Sequence, residues 1–282
     1  MTPSSTHASY QTRPLGNWRM VMSDALHVAQ QRNYIQGLYQ IDVTDARRRI
    51  HAYKTRTGAD FSFNAFLVAC VAQAIDENKA VQAMRQGKRL IIFDDVDVNI
   101  LVEHDVEGQK VVSGYIVRAA NHKTSQQIHD EIRAAQQQKV TAEAPVVGFP
   151  QWVWLAAKMP SFIRRIILRY FANNPFLIRQ TGGTVNFTAV GMFGKGGGWG
   201  IPISETSLTV TVGGIDETVK CIDSQFCVRE MLCITLGFDH DVIDGAPAAR
   251  FASRMKELIE AAHGLEQLDS LPTPLESVPL SD

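Results

Sequence analysis

The segment from Gly237 to Phe251, GFDHDVIDGAPAARF, sets one histidine among three aspartates and follows them with a glycine. His240 lies four residues before Asp244, and Gly245 comes directly after. Three chemistries use such residues. Asp239, His240, Asp241 and Asp244 are all metal-type ligands, but a segment that leaves a strand and enters a helix turns successive side chains apart. No second His- or Cys-rich cluster with ligand spacing accompanies it, so no metal is expected. A surface turn accounts for Gly245 and one aspartate as helix-entry residues, yet not for a strand that ends on a histidine. The third reading is a general base held by a structural carboxylate, because imidazole titrates near neutrality.

The elements that would position this loop follow from periodicity. Residues 1–12 read as a loose arm, and an apolar-periodic stretch from Trp18 to Val28 reads as a helix before the strand YIQGLYQIDV. Thr44 or Asp45 is placed to cap a helix through ARRRIHAYK, whose arginines read as a solvated face. Ser62 or Asn64 opens SFNAFLVACVAQAIDEN, apolar on nearly every side and therefore a buried helix. Two extended runs around Asp105 to Gly108 predict a hairpin, and KTSQQIHDEIRAAQQQ a polar helix capped by Thr124 or Ser125. GGTVNFTAV, TSLTVTVGGI and VREMLCITLGF read as strands, a last helix runs from about Ala246 to Ala262, and the proline-bearing tail at 265–282 is expected to be extended. This order predicts one α/β domain over residues 13–264, built on a mixed sheet flanked by helices.

The composition narrows the function classes. The chain has 282 residues, enough to bury a substantial core, and 45% of them are apolar, which excludes a disordered chain. A formal net charge of -1 gives no global attraction to nucleic acid, and none is expected as a partner. Cys70, Cys221, Cys227 and Cys233 include no CxxC pair; Cys227 and Cys233 lie in a strand-like run and read as structural thiols, and a reducing, cytoplasmic compartment is expected. GKGGGWG lacks the Lys-Ser or Lys-Thr pair of a phosphate-binding loop and reads as a mobile loop near the site.

DHDVIDGAPAARF resembles the His-x-x-x-Asp-Gly signature of the catalytic domain of 2-oxoacid dehydrogenase dihydrolipoamide acyltransferases and of the related chloramphenicol acetyltransferases. Further segments resemble that family in the same order: SFNAFLVACVAQAIDEN its buried helix, the stretch from Asp95 to Ala120 its central hairpin, GGTVNFTAVGMFG its glycine-flanked strand, and then SLTVTVGGI. The resemblance implies a chloramphenicol acetyltransferase-like fold, with His240 as the base that takes a thiol proton and Thr188, in the place of the family serine, as oxyanion donor. It implies that Asp244 holds the histidine loop through an arginine, for which NWRM offers Arg19, with Gly245 completing the motif. It also implies a homotrimer, or a multiple of trimers, with the site between subunits.

The chain departs from the family pattern. Asp241 stands where arginine usually follows the histidine, and the residues before the domain resemble no lipoyl or subunit-binding segment, so a tethered carrier is not expected. The expectation is a stand-alone acyltransferase that uses coenzyme A or the phosphopantetheine arm of an acyl carrier protein as thioester substrate. The rival is an inactive scaffold or core subunit of the same fold. Condensation domains share the motif but carry a second histidine where Asp239 stands, and need two such lobes.

Residues 140–180 form an inserted segment rich in tryptophan and proline, around the basic amphipathic SFIRRIILRYF. It has no charge-free run of the roughly 20 residues that cross a bilayer. Trp152, Trp154, Arg164 and Arg165 are its candidate substrate-binding residues, the arginines meeting a phosphate, with contact to a membrane surface or partner through 145–175 as the alternative.

Overall fold

The computed structural model describes residues 10–12, 14–106, 109–137, 159–191, 196–204 and 206–270. Its strands are β1 (Tyr34–Asp42), β2 (Met84–Gln86), β3 (Arg89–Ile91), β4 (Val98–Val106), β5 (Gln109–Val117), β6 (Val185–Ala189), β7 (Leu208–Ile222) and β8 (Gln225–Asp239). The helices are α1 (Asn17–Ala29), α2 (Thr44–Thr57), α3 (Phe63–Asp76), α4 (Ser125–Gln137), α5 (Ser161–Ala172), α6 (Pro175–Gly182), α7 (Gly245–Glu260) and α8 (Glu266–Ser270). Six strands form one mixed sheet in the order β1-β8-β7-β6-β4-β5, and β2 pairs with β3 apart from it. Short β6 is parallel to both β4 and β7, while the other pairings are antiparallel.

The all-round apolar run of α3 is buried as its pattern requires: Phe66, Leu67, Val68, Cys70, Val71 and Ile75 lie in the core between sheet and helices. Ser62 caps it by accepting from the Ala65 N–H at 3.3 Å. At α4, Thr124 and Gln127 close a reciprocal capping box, side chain to backbone N–H in both directions. At α2 the cap differs from expectation: the Asp42 carboxylate, not Thr44 or Asp45, accepts from the Thr44 N–H at 3.0 Å. The tail begins with a helical turn, α8, rather than extended chain, and residues 271–282 lie outside the described residues.

Two segments read as separate strands are one long hairpin. β7 and β8 run fifteen residues each around Asp223 and Ser224, both at positive φ. No Asn-Gly or Asp-Gly marks that turn, which is why periodicity alone separated the strands.

The glycine-rich segment packs on the sheet. Gly196 to Gly198 lie on the β7 irregularity at Gly213 and Gly214, where the Gly214 N–H donates to the Gly198 carbonyl at 3.0 Å. A Cβ on Gly213 would sit 2.0 Å from the Gly198 oxygen, and one on Gly214 2.0 Å from that of Gly196. Backbone cannot yield as a flexible side chain does, so these positions exclude side chains. Gly213→Ala is expected to destabilise the fold by about 1–3 kcal/mol through overpacking. Urea unfolding should show a lower midpoint at unchanged slope.

Candidate active site

The histidine loop begins where β1 and β8 stop pairing, at Tyr34↔Asp239. From there the start of β1 holds it by backbone and side chain. The His240 N–H donates to the Asn33 carbonyl at 2.7 Å, and the Asn33 amide donates to the Asp241 carboxylate at 3.0 Å. Inside the loop, the Val242 and Ile243 N–H groups both donate to the Asp239 carbonyl, at 3.0 and 2.9 Å. The Tyr34 hydroxyl donates to the Thr206 carbonyl and ties the same corner to the start of β7.

Asp239 is buried, and its carboxylate has two partners. The Asp241 N–H donates to it at 3.1 Å, and Arg32, from the α1–β1 turn, approaches it at 3.6 Å. Burial pushes the Asp239 carboxyl above its ordinary value, against the pull of that N–H and of Arg32. Asp241 turns outward, with Arg85 of β2 at 4.0 Å. The loop's carboxylates therefore face different partners.

His240 itself is half-exposed, its Nδ1 4.0 Å from the Asp244 carboxylate. Asp244 occupies the N-cap position of α7 but makes no side-chain cap and is 87% exposed. The expected arrangement, with Asp244 paired to Arg19, is not what the chain builds. Arg19 is exposed on α1 and makes no ion pair among the described residues, whereas the buried carboxylate is Asp239 and its cation is Arg32. Sequence reasoning missed Arg32 because it matches no motif. The signal was a cation just before a strand that had to lie beside the histidine loop. Gly245 has open space where a Cβ would stand, so nothing in its own chain requires glycine there.

Thr188 lies on β6, whose neighbours Phe187 and Ala189 face the helix-covered core, so its hydroxyl is on the other face of the sheet. In register across that face come Thr211 of β7 and Thr235 of β8. Both hydroxyls are buried and have no hydrogen-bond partner among the described residues, under the segment that places Gly200 against Thr211. Thr235 is five residues before His240 on the strand that leads to it. That puts Thr188 and His240 ~16 Å apart along the sheet and ~10 Å across it. One chain does not bring the two together.

Of the insertion's candidates, Trp152 and Trp154 lie outside the described residues. Arg164 and Arg165 are not poised for a ligand phosphate. Arg164 donates from Nε to Asp24 of α1 at 2.6 Å with its side chain 7% exposed, and Arg165 donates to the other Asp24 oxygen at 2.7 Å. They fasten α5 to α1. Phe162, Ile166 and Tyr170 form an exposed apolar ridge along α5, while Arg164 on the same helix is the buried side chain. No helix among the described residues is long and apolar enough to cross a membrane.

Solved acyltransferase structures share this fold. A probable dihydrolipoamide acetyltransferase from Listeria monocytogenes superposes with a TM-score of 0.64 at 20% identity, covering 95% of this chain and 98% of its own. The cubic core of a pyruvate dehydrogenase multienzyme complex gives 0.66 at 18%, covering 94% and 98%. The dihydrolipoamide acetyltransferase of Azotobacter vinelandii gives 0.67 at 18%, also covering 94% and 98%. That enzyme was studied for the role of a serine, a histidine and an asparagine in its catalytic mechanism, the histidine fifty-two positions after the serine and four before the asparagine.

The family described as 2-oxoacid dehydrogenases acyltransferase (catalytic domain) matches residues 7–144 and 174–266, and this chain belongs to it. The match leaves out the stretch that carries α5. In sequence, the chain is 23% identical over 249 residues to the lipoamide acyltransferase component of the branched-chain alpha-keto acid dehydrogenase complex of Bacillus subtilis, spanning 86% of this chain and 46% of that protein. It is 24% identical over 212 residues to the succinyltransferase component of the 2-oxoglutarate dehydrogenase complex of Bartonella vinsonii, spanning 74% and 42%. The chain thus spans less than half the length of these curated relatives.

The α5–α1 clasp yields a pH-dependent prediction. Burial alone would raise the Asp24 carboxyl, but the hydrogen bonds and charges of Arg165 and Arg164 hold it below its ordinary value. Its stabilising contribution is therefore present above the unfolded aspartate pKa of about 3.9 and is lost as pH falls through the lower folded value. Asp24→Asn should cost about 3–5 kcal/mol near neutrality, because it removes the carboxylate that the Arg164 and Arg165 guanidinium groups share. In denaturant unfolding across pH, the gap between variant and wild type should close on the acid side of pH 4. A gap independent of pH would contradict the assignment.

Proposed function

We propose that the chain is the catalytic domain of an acyltransferase. It moves an acyl group between a thioester, of coenzyme A or of a phosphopantetheine or lipoyl arm, and an acceptor thiol. Within one subunit His240 and Thr188 are too far apart to share a reacting atom, so the site forms between copies, with the base from one and the hydroxyl from the next. A trimer or a multiple of trimers is the assembly that supplies this. Asp244 and Gly245 fit such a boundary, since both are exposed at the start of α7. The observation that carries the reading is a spacing. Thr188 precedes His240 by fifty-two positions and Asp244 follows it by four, the separations of the serine, histidine and asparagine studied in the Azotobacter enzyme.

The chemistry runs as follows. His240 Nδ1 faces Asp244, which leaves Nε2 for the substrate. Nε2 takes the acceptor thiol's proton, and the thiolate sulfur attacks the thioester carbonyl carbon. The carbonyl electrons move to oxygen, and the Thr188 hydroxyl donates to that oxyanion. The tetrahedral intermediate collapses by breaking the bond to the leaving sulfur, which takes the proton back from the imidazolium. Threonine keeps the donor of a serine but is stiffer about χ1, so its hydroxyl is held in fewer directions.

Dihydrolipoamide with a panel of acyl-CoAs, from acetyl to longer and branched chains, tests the reading on the purified oligomer. His240→Ala is expected to lower turnover by about 10²–10⁴-fold while the oligomer persists in sedimentation. Near-wild-type turnover would instead favour a scaffold of the same fold. Thr188→Val removes the hydroxyl at nearly constant shape, and kcat should fall by about 10²-fold or more with little change in KM. A rise in KM alone would make Thr188 a wall of the pocket rather than a donor.

A further inference from the structure

The inserted helix α5 reaches the histidine loop through one side chain. Arg32 donates from Nη2 to the carbonyl of Ala172, the last residue of α5, at 2.7 Å, while its Nη1 stands 3.6 Å from the Asp239 carboxylate. The final carbonyls of a helix have no intrahelical donor and carry the negative end of its dipole, so a cation is held there. The guanidinium is a rigid planar fork. Its two ends cannot move independently, and a shift of α5 relative to α1 must either break the Ala172 contact or carry Nη1 with it. Asp239 in turn fixes the loop from inside, through the Asp241 N–H and the two N–H groups on its own carbonyl.

We propose that Arg32 is a positioning residue that makes the setting of the His240 loop depend on how α5 is seated. The stretch carrying α5 is not matched by the family, so this dependence belongs to the present chain rather than to the common fold. Whatever occupies the exposed ridge of α5 would then be felt at the base. The effect on turnover rests on the acyltransferase reading; the coupling itself does not.

The groups that face Asp239 are Arg32 from the α1–β1 turn, Arg85 from β2, Tyr34 from β1 and Asp241 from its own loop. Removing Arg32 takes away one of the charges that oppose the effect of burial on this carboxyl. Loop opening that accompanies protonation of Asp239, read by hydrogen–deuterium exchange across pH, should therefore set in at higher pH in Arg32→Met and stay near the wild-type position in Arg32→Lys, which keeps the charge.

The decisive experiment is a cycle on the full-length oligomer, read by hydrogen–deuterium exchange over residues 237–244. Arg165→Gln loosens one strand of the Asp24 clasp without removing the buried arginine. It should speed exchange in the histidine loop by more than about threefold when Arg32 is present, and add nothing when Arg32 is replaced. Arg32→Met should itself speed loop exchange by about tenfold and lower kcat for dihydrolipoamide and acetyl-CoA by about tenfold, with KM within about twofold. Because Arg32→Met leaves a buried carboxylate without its cation and risks unfolding, Arg32→Lys carries the decision. It keeps the Asp239 pair but cannot span to Ala172, so the loop should remain slow to exchange and insensitive to Arg165→Gln. Equal effects of Arg165→Gln with arginine, lysine or methionine at the position would overturn the coupling. Wild-type protein inactive on every probe, with the exchange cycle as expected, would overturn the acyltransferase reading and leave the coupling standing.

Discussion

A buried carboxylate must find a cation or donors, and the corner of this fold that bears the histidine is organised around that requirement. Asp239 ends β8, and its side chain turns inward where the sheet stops. Arg32 and the Asp241 N–H meet it there, and the backbone of Asn33 fixes the next residue, His240. The β1–β8 register brings residues more than two hundred positions apart into this arrangement, because Tyr34 opposes Asp239. A shift of one residue in that register would turn the carboxylate to the other face of the sheet. The histidine loop is thus as well defined as the strand pairing that leads into it.

The rest of the fold supports this corner from two sides. Beneath the sheet, α3 and α7 cover the apolar face, with Phe238 of β8 edge-on to Phe251 of α7 at 6.0 Å. On the other face, glycine backbone packs directly against the β7 irregularity and closes over a row of threonines. The first contact is apolar and tolerant of detail. The second is backbone on backbone and admits no side chain. Thr188 belongs to the same polar row, one strand in from Thr211.

The insertion changes the balance of charges around α1. Asp24 and Arg32 lie on the one segment that both accepts α5 and leads into β1, so a single turn of chain serves packing and site at once. Arginines that composition offers as a ligand surface are held by Asp24 instead. The apolar ridge they leave outward, Phe162, Ile166 and Tyr170, is the part of α5 free to meet something else.

Much was legible in the sequence because it is local. The all-round apolar run of α3, the caps at Ser62 and Thr124, the hairpin of β4 and β5, and the strand-to-helix passage around His240 each follow from the period of a few residues and the hydrogen-bonding habits of side chains. The family followed from the order of those segments. What the sequence by itself did not decide is pairing between distant groups. Among three aspartates in one loop, nothing local says which is buried, so Asp244 and Arg19 were expected where the chain uses Asp239 and Arg32. The destination of Arg164 depends on how α5 crosses α1, and the long β7–β8 hairpin depends on a turn with no glycine in it. Charge pairs and strand partners are chosen by three-dimensional proximity, and that is fixed only when the sheet register and helix packing are set together.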